Sequence, residues 1–434
     1  MPGILDCPPE ILDLIIDELA FSPALPSELV DSVHQRLSRR ILSLGQTCRF
    51  FYESILPRFY SSCFLEFHAF FHCSNEGPRY RLYDSSGAVT VQKYNGFFKR
   101  GSLVKNLNIR FDKRGGWGAP VQEWTKKTWF EYKEASQTAP IILERLIPRF
   151  DHLKRVEFQR DTETQGSLGD FVRGLGLVLS RVTSLTALDL SIQYNNEDKN
   201  NWAENEIEIE YPSFAARLQE LSISVEPKLR ELDWNKEPTD SDILVCFWFM
   251  DILTRLLKIP SQTVKTLNFE FIVEKFGSSP LGHRWLNDRE YSLPVKNFEK
   301  ILDLPLVRKL YLTLGHGSQF AYDKYFNVGH GEVRDLTLQL VTLPGGEWRK
   351  EIPFIKSFPK LTTLTLYHPR DIRLVEAVVA ALRSDFTSLK ELRILLFTPS
   401  SQITEIMNKF EKDPRVQVEK FDSSHSSATV CLYF

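Results

Sequence analysis

A short pattern of apolar residues recurs along most of the chain, with apolar side chains at the first, fourth and sixth positions of each copy. The last two apolar residues of each copy flank a single residue that is mostly polar, which is typical of a β-strand with one buried face. The pattern therefore predicts nine strands whose apolar side chains share a core. The copies are Val104/Leu107/Ile109, Leu153/Val156/Phe158, Leu185/Leu188/Leu190, Leu218/Leu221/Ile223, Val264/Leu267/Phe269, Val307/Leu310/Leu312, Val333/Leu336/Leu338, Leu361/Leu364/Leu366 and Leu389/Leu392/Ile394.

The spacing of these copies is that of a structural repeat. The last three intervals between first positions are 26, 28 and 28 residues, and the earlier intervals of 49, 32, 33, 46 and 43 residues imply insertions. A helical pattern at 374–382 follows one copy. The series resembles the leucine-rich repeat class, which implies an irregular α/β solenoid with its strands on the concave face and its helices on the convex face. An ordinary α/β sheet is the alternative.

Alternation along the strands also predicts the side chains on the opposite, solvent-facing side of the sheet. Tyr311, Tyr367 and Arg393 are the candidate target-binding residues, because tyrosine and arginine combine a large contact area with polar reach. The alternative for each of them is that it only solvates the sheet. The whole predicted face consists of Asn108/Arg110, Glu157/Gln159, Asp189/Ser191, Ser222/Ser224, Asn268/Glu270, Tyr311/Thr313, Thr337/Gln339, Thr365/Tyr367 and Arg393.

The first sixty residues have a different, helical pattern. Apolar side chains at Ile11, Leu12, Ile15, Ile16 and Leu19 have helical spacing, and Pro8 and Pro9 precede them, where a helix tolerates proline. A second helical run covers 41–52, and a third covers 55–60. Three short helices bury too little apolar surface by themselves. We therefore expect a partner to cover the remainder, or the helices to cap the domain that follows.

The segment Cys7-Pro8-Pro9-Glu10-Ile11-Leu12-Asp13-Leu14-Ile15, followed by Leu42-Ser43-Leu44-Gly45-Gln46-Thr47-Cys48-Arg49-Phe50-Phe51, resembles the F-box motif. That resemblance implies a three-helix module at 1–65 that docks an Skp-type adaptor and, through it, a cullin. The remainder, 66–434, is predicted to be the repeat domain, with long insertions in its N-terminal half. The positions that match the family's apolar adaptor contacts are Pro8, Ile11, Leu12, Ile15, Leu42, Cys48 and Phe51.

Composition narrows the classes of partner and compartment. With 434 residues, 42% hydrophobic and 25% charged, the chain is globular and long enough for one small and one large unit. A formal net charge of −2 gives no general attraction to nucleic acid or to an anionic membrane, so neither is expected as a partner. Six cysteines without paired spacing, and no secretory signal, predict a protein of the cytoplasm, the nucleus or both.

Candidate chemistry adds little to this picture. His68 and His72, with Cys63 and Cys73 nearby, would share a helix face as a zinc site requires, but interleaved phenylalanines favour aromatic packing instead. The glycine-rich segment at 113–118 lacks the Lys-Ser/Thr ending of a P-loop. We therefore expect no catalytic residues, metal or cofactor. The alternative is an enzyme whose active site is formed by residues that lie far apart in the sequence.

Taken together, the two resemblances imply the non-catalytic recognition subunit of a cullin–RING ubiquitin ligase. Its F-box would dock the adaptor, and its repeat surface would hold a target protein that the sequence does not identify. The alternative is a protein-binding repeat scaffold that acts outside a ubiquitin ligase.

Overall fold

The computed structural model of the protein describes its strand regions and their connections in two compact units. The first unit comprises 1–189 and 201–216, and the second comprises 190–200 and 217–434. The described residues are 46, 49–68, 80–84, 87–89, 100–112, 143–144, 146–160, 167–195, 214–228, 240–272, 302–314, 322, 325–340, 351–367, 379–380, 388–396, 408, 410, 417–422 and 428–433.

The first unit contains a sheet whose strands run in the order β3-β2-β1-β4-β5. The pairs β1–β4 and β4–β5 are parallel, whereas β1–β2 and β2–β3 are antiparallel. The unit boundary falls inside the next strand, β6, after Asp189. The bounds are Ser62–His68 for β1, Tyr80–Asp84 for β2, Gly87–Val89 for β3, Asn106–Asp112 for β4, Arg155–Arg160 for β5 and Ala187–Asn195 for β6.

The second unit contains a largely parallel sheet that ends in an antiparallel hairpin. Its strand order is β7-β8-β10-β12-β13-β14-β16-β15, with parallel pairing from β7 to β14 and antiparallel pairing of β16 with both β14 and β15. Strands β9 and β11 form a separate parallel pair. The bounds are Glu220–Lys228 (β7), Thr266–Phe271 (β8), Leu302–Leu304 (β9), Lys309–Leu314 (β10), Phe326–Val328 (β11), Asp335–Leu340 (β12), Thr363–Tyr367 (β13), Glu391–Leu396 (β14), Gln417–Asp422 (β15) and Ala428–Tyr433 (β16).

Four α-helices are described, and three of them connect consecutive strands. Within the described residues, no helix is both long and apolar enough to cross a membrane. The helices are α1 (Arg49–Tyr60), α2 (Ser167–Arg181), α3 (Asp240–Leu257) and α4 (Glu351–Lys356).

All nine predicted strands are confirmed. Each copy of the pattern ends in a described strand, and every apolar position of the pattern is buried, Leu389 being the most accessible at 5%. The burial of alternate residues is regular, for example in β5 and in β8. The fold is therefore mixed α/β with a parallel sheet, as the alternation predicts.

The residue before each strand start holds the repeats in register. The carbonyl oxygen of Lys265 accepts the N–H groups of Arg308 (2.8 Å) and Lys309 (3.1 Å) from the next repeat. The carbonyl oxygen of Arg308 accepts those of Arg334 (2.9 Å) and Asp335 (3.0 Å) in the same way. Because this bond pair recurs from repeat to repeat, the residues at this position lie side by side at one end of the sheet.

Other expectations need correction. The predicted break between a second and a third helix is absent, since α1 runs unbroken through 52–55. Residues 52–55 contain no glycine or proline that would end a helix. The Arg49–Glu53 ion pair (2.7 Å) joins residues four apart at the start of α1. Residues 8–19 and 41–45, which carry the rest of the three-helix prediction, lie outside the described residues.

Strand β1 spans the predicted start of the repeat domain. The predicted boundary between 65 and 66 falls inside β1, which pairs in parallel with β4. The helix that would have placed His68 and His72 on one face is not formed, because 62–68 is a strand; His72 lies outside the described residues. The hairpins of β2 with β3 and of β15 with β16 were not predicted, since the repeat pattern does not extend to them.

Candidate target-binding face

The side of the second unit's sheet that faces away from the leucine core is polar, and we call it the polar face. Its residues alternate with buried ones, as in β8, where Asn268 is exposed between Leu267 and Phe269. It carries the three predicted target-binding residues. Tyr311 and Tyr367 are partly exposed on β10 and β13, and Arg393 is exposed on β14.

Tyr311 and Tyr367 lie close to one another on this face. Tyr311 is in register with Thr337 of β12, which in turn is in register with Thr365 of β13, two residues before Tyr367. Partial burial, and then the neighbouring Tyr367, raise the pKa of the Tyr311 phenol. The geometry places two large amphipathic rings on either side of shorter threonine side chains.

Two threonines of the polar face are almost buried. Thr313 is only 7% exposed and Thr365 only 9%, although both are on the polar side of their strands. Longer neighbours on adjacent strands cover small side chains in this way. Tyr311 and Tyr367 therefore stand on the polar face among threonine side chains that are almost buried.

Arg393 is held by the carboxylate two residues before it. Its Nε and one Nη atom each donate to Glu391 at 2.8 Å, a two-pronged ion pair. This bonding raises the pKa of the Arg393 guanidinium. The remaining N–H donors of an arginine are directed elsewhere in the guanidinium plane, so a partner's carboxylate or carbonyl can still approach.

The carboxylates on the same face accept hydrogen bonds from neighbouring strands. Ser224 Oγ donates to Glu270 Oε2 at 2.9 Å, and Thr313 Oγ1 lies 3.4 Å from Glu270 Oε1. Thr313 also lies 3.5 Å from Gln339 Oε1, and its single proton serves one acceptor at a time. Sequence reasoning placed these residues on one face but could not show their pairing.

The first unit carries a smaller cluster at the predicted positions Asn108, Glu157, Gln159 and Asp189. Burial, and then the neighbouring Asp189 charge, raise the pKa of the Glu157 carboxyl. Gln159 donates to Glu157, while the Oδ1 atom of Asn108 is buried without a hydrogen-bond partner. Asp189 is also 3.7 Å from Arg155, so opposite charge partly compensates the pair of carboxylates.

The predicted adaptor-binding residues are mostly outside the described part of the chain. Phe51 is described, and it is buried at 4% exposure, as is Ile55 one turn later on α1. The residues on either side of Phe51 in the sequence, Phe50 (43%) and Tyr52 (45%), are exposed. Pro8, Ile11, Leu12, Ile15, Leu42 and Cys48 lie outside the described residues.

A polar cluster that the sequence did not indicate surrounds His330, which lies between β11 and β12. Its Nδ1 is 3.0 Å from Ser357 Oγ, and its Nε2 is 3.4 Å from Tyr322 Oη. Ser357 Oγ also donates to the carbonyl oxygen of Phe354 (2.7 Å), so a neutral His330 with its proton on Nδ1 satisfies both contacts.

Comparisons with known proteins add a distant structural likeness. No protein-family model matches the chain, and no curated protein matches it. Among solved structures, the chain is similar to the leucine-rich repeat-containing protein LegL7 from Legionella pneumophila, with a TM-score of 0.32 and 13% identity over 71% of this chain and 91% of that one. Among the described residues, no group of three or more His, Cys, Asp or Glu side chains could hold a metal ion.

Proposed function

We propose that this protein is a repeat scaffold that binds a target protein on the polar face. The observation that carries this proposal is that Tyr311, Tyr367 and Arg393 are all at least partly exposed on one polar face. Tyrosine and arginine are over-represented among the residues that dominate binding energy at protein interfaces. A partner on this face would meet aromatic rings, hydroxyl groups and a guanidinium within four neighbouring strands.

The sheet beneath this face supports the proposal because it holds the tyrosines in fixed positions. Tyr311 and Tyr367 lie on strands whose neighbours pair in continuous parallel register. Side chains on such a rigid platform lose little conformational freedom when a partner binds, and tyrosine has only two rotatable side-chain torsions.

A photo-crosslinking experiment in cells tests target binding. Benzoylphenylalanine replaces Tyr367 in the full chain, and the same amino acid replaces Arg173 of helix α2 in a matched control. We expect a discrete adduct from position 367 that is absent at 173 and disappears when Tyr311→Ala is added. An adduct of the same protein from both positions, or none from 367, would contradict the proposal.

We further propose that residues 8–60 dock an Skp-type adaptor, which would make the protein the non-catalytic target receptor of a cullin–RING ubiquitin ligase in the cytoplasm or nucleus. The F-box resemblance supports this proposal. So does the exposure of Phe50 and Tyr52 on α1, since exposed aromatic side chains next to the motif enlarge the apolar surface offered to a partner.

Co-expression with an Skp-type adaptor tests the docking step. We expect the wild-type chain to form a soluble complex with the adaptor, and Ile11→Asp with Leu12→Asp to abolish it, because buried carboxylates would disrupt an apolar contact. The matched control is Tyr311→Ala, which should leave adaptor recovery unchanged. Failure of the wild type to bind would reject the ligase role and leave the scaffold proposal to be judged by the crosslinking result.

A further inference from the structure

A row of four basic residues lies along the strand-start end of the second unit's sheet. Lys265, Arg308, Arg334 and Lys390 each occupy the position just before a strand, at β8, β10, β12 and β14. Thr362 fills the same position before β13, and its carbonyl oxygen accepts the N–H of Lys390 at 2.9 Å. We call the four cations the basic row. The backbone bonds that hold the repeats in register therefore also align these side chains.

The basic row faces solvent, and ion pairs around it are sparse within the described residues. All four residues are exposed. The structure gives none of them an ion pair or side-chain hydrogen bond with another described residue. Glu332 is nearby, but its carboxylate bonds Lys360 at 2.6 Å; that bond first, and then Arg334 and Arg308, lower the pKa of Glu332. The Glu332 carboxylate is thus already paired with another cation.

Such a row is unfavourable unless something anionic compensates it. Neighbouring strands are about 4.8 Å apart, so like charges at equivalent positions repel one another. From β8 to β14 the row covers four strand spacings, roughly 19 Å in length. An extended peptide of about six residues has the same length.

We propose that the basic row binds an acidic, extended polypeptide segment. Charge complementarity favours an anionic ligand, and the adjoining positions favour a peptide over a nucleic acid. The described residues that flank the row along the strands, Thr266, Lys309, Asp335, Thr363 and Glu391, include no aromatic ring on which a base could stack.

This surface lies at the strand starts and does not include Tyr311 or Tyr367, so the proposal does not depend on the proposed target binding. Its ligand is defined by chemistry alone: carboxylate side chains at short intervals on an extended chain. The partner could bring this segment as a terminal or linker sequence, since acidic runs are commonly solvated and accessible.

Fluorescence anisotropy on the full chain tests the inference, with a dye-labelled octaglutamate peptide as the probe. We expect the peptide to bind at low ionic strength and to bind more weakly at physiological ionic strength. Arg334→Glu should weaken binding about tenfold, since it replaces an attraction by a repulsion. The matched control, Arg173→Glu on α2, makes the same change of net charge and should alter affinity by less than about twofold.

A second pair of measurements keeps the result decisive. Circular dichroism checks that each variant is folded, and Arg308→Gln with Arg334→Gln removes charge without placing new carboxylates in the row. Equal losses in the Arg173 and Arg334 variants would show only a net-charge effect and would overturn the inference. So would absence of peptide binding, or tighter binding of a labelled thymidine octanucleotide than of the peptide.

Discussion

His330 shows how one residue can link local hydrogen bonding to pH dependence. Partial burial lowers the pKa of its imidazole below the ordinary value of 6.5. Its ring also packs against Phe358, with the ring centroids 4.4 Å apart. The neutral form fits this site, because both ring nitrogens already have partners that suit it.

We expect acid to destabilise the fold through His330. Between its lowered folded-state pKa and 6.5, the unfolded chain binds the proton more readily, so stability decreases as pH falls through that window. Thermal unfolding from about pH 7.5 to about pH 5.5 measures the effect. His330→Phe retains an aromatic ring but cannot titrate, so its melting temperature should fall less over the same range.

Comparing wild type with His330→Phe separates the effect of His330 titration from that of the carboxyl groups and the other imidazoles. Glu332 also has a lowered pKa, through its bond to Lys360, but its contribution is lost only below its ordinary value of 4.5. Groups elsewhere titrate equally in both proteins and cancel in the difference. Parallel melting curves for wild type and His330→Phe would show that the histidine does not contribute.

At the scale of single elements, alternation predicts that alanine substitutions at adjacent residues of β13 destabilise the fold by very different amounts. Leu364 is fully buried, whereas Thr363 is partly exposed on the polar face. Leu364→Ala should lower the free energy of unfolding by about 2–5 kcal/mol, through lost transfer energy and a cavity. Thr363→Ala, the matched control, should cost less than about 1 kcal/mol in urea unfolding. Similar costs for the two changes would contradict the strand orientation.

Two glycines of the first unit should respond oppositely to alanine. A methyl group on Gly101 would overlap the backbone of Arg149, with the carbonyl carbon only 3.0 Å away, so Gly101→Ala should destabilise by about 1–3 kcal/mol. A methyl group on Gly169 of α2 would meet nothing within 4 Å, so Gly169→Ala should stabilise by about 0.5–1 kcal/mol. Calorimetric melting of both variants measures this pair, and equal shifts would refute the packing described at Gly101.

The comparison of sequence and structure shows which features a local pattern can predict. Leu364 and its counterparts recur at fixed spacing, so their strands and their shared core were predictable, and so was the exposure of Tyr311 and Arg393 between buried neighbours. The contact of His330 with Tyr322 and Ser357 was not, because it joins residues that no periodicity relates. Strand β16 was missed for a similar reason: its antiparallel pairing with β14 closes the repeat series rather than continuing it.

For the whole molecule, the proposed role requires one chain to bind two partners through two different surfaces. The F-box-like segment would recruit the adaptor, and the polar face would hold the target, so damage to either should stop ubiquitin transfer for a different reason. Ile11→Asp with Leu12→Asp should lose the adaptor and keep the crosslinked target. Tyr311→Ala with Tyr367→Ala should do the reverse.

Reconstituted ubiquitination of the crosslinked target, with adaptor and cullin present, measures the combined outcome. We expect modification to fall to background in both variants and to stay lost when the two are mixed, because no single chain then connects adaptor to target. Retained modification in the adaptor variant would place the protein outside the ligase. If the two surfaces are independent, a change in one should leave binding at the other intact. Loss of both partners in one variant would therefore contradict their independence.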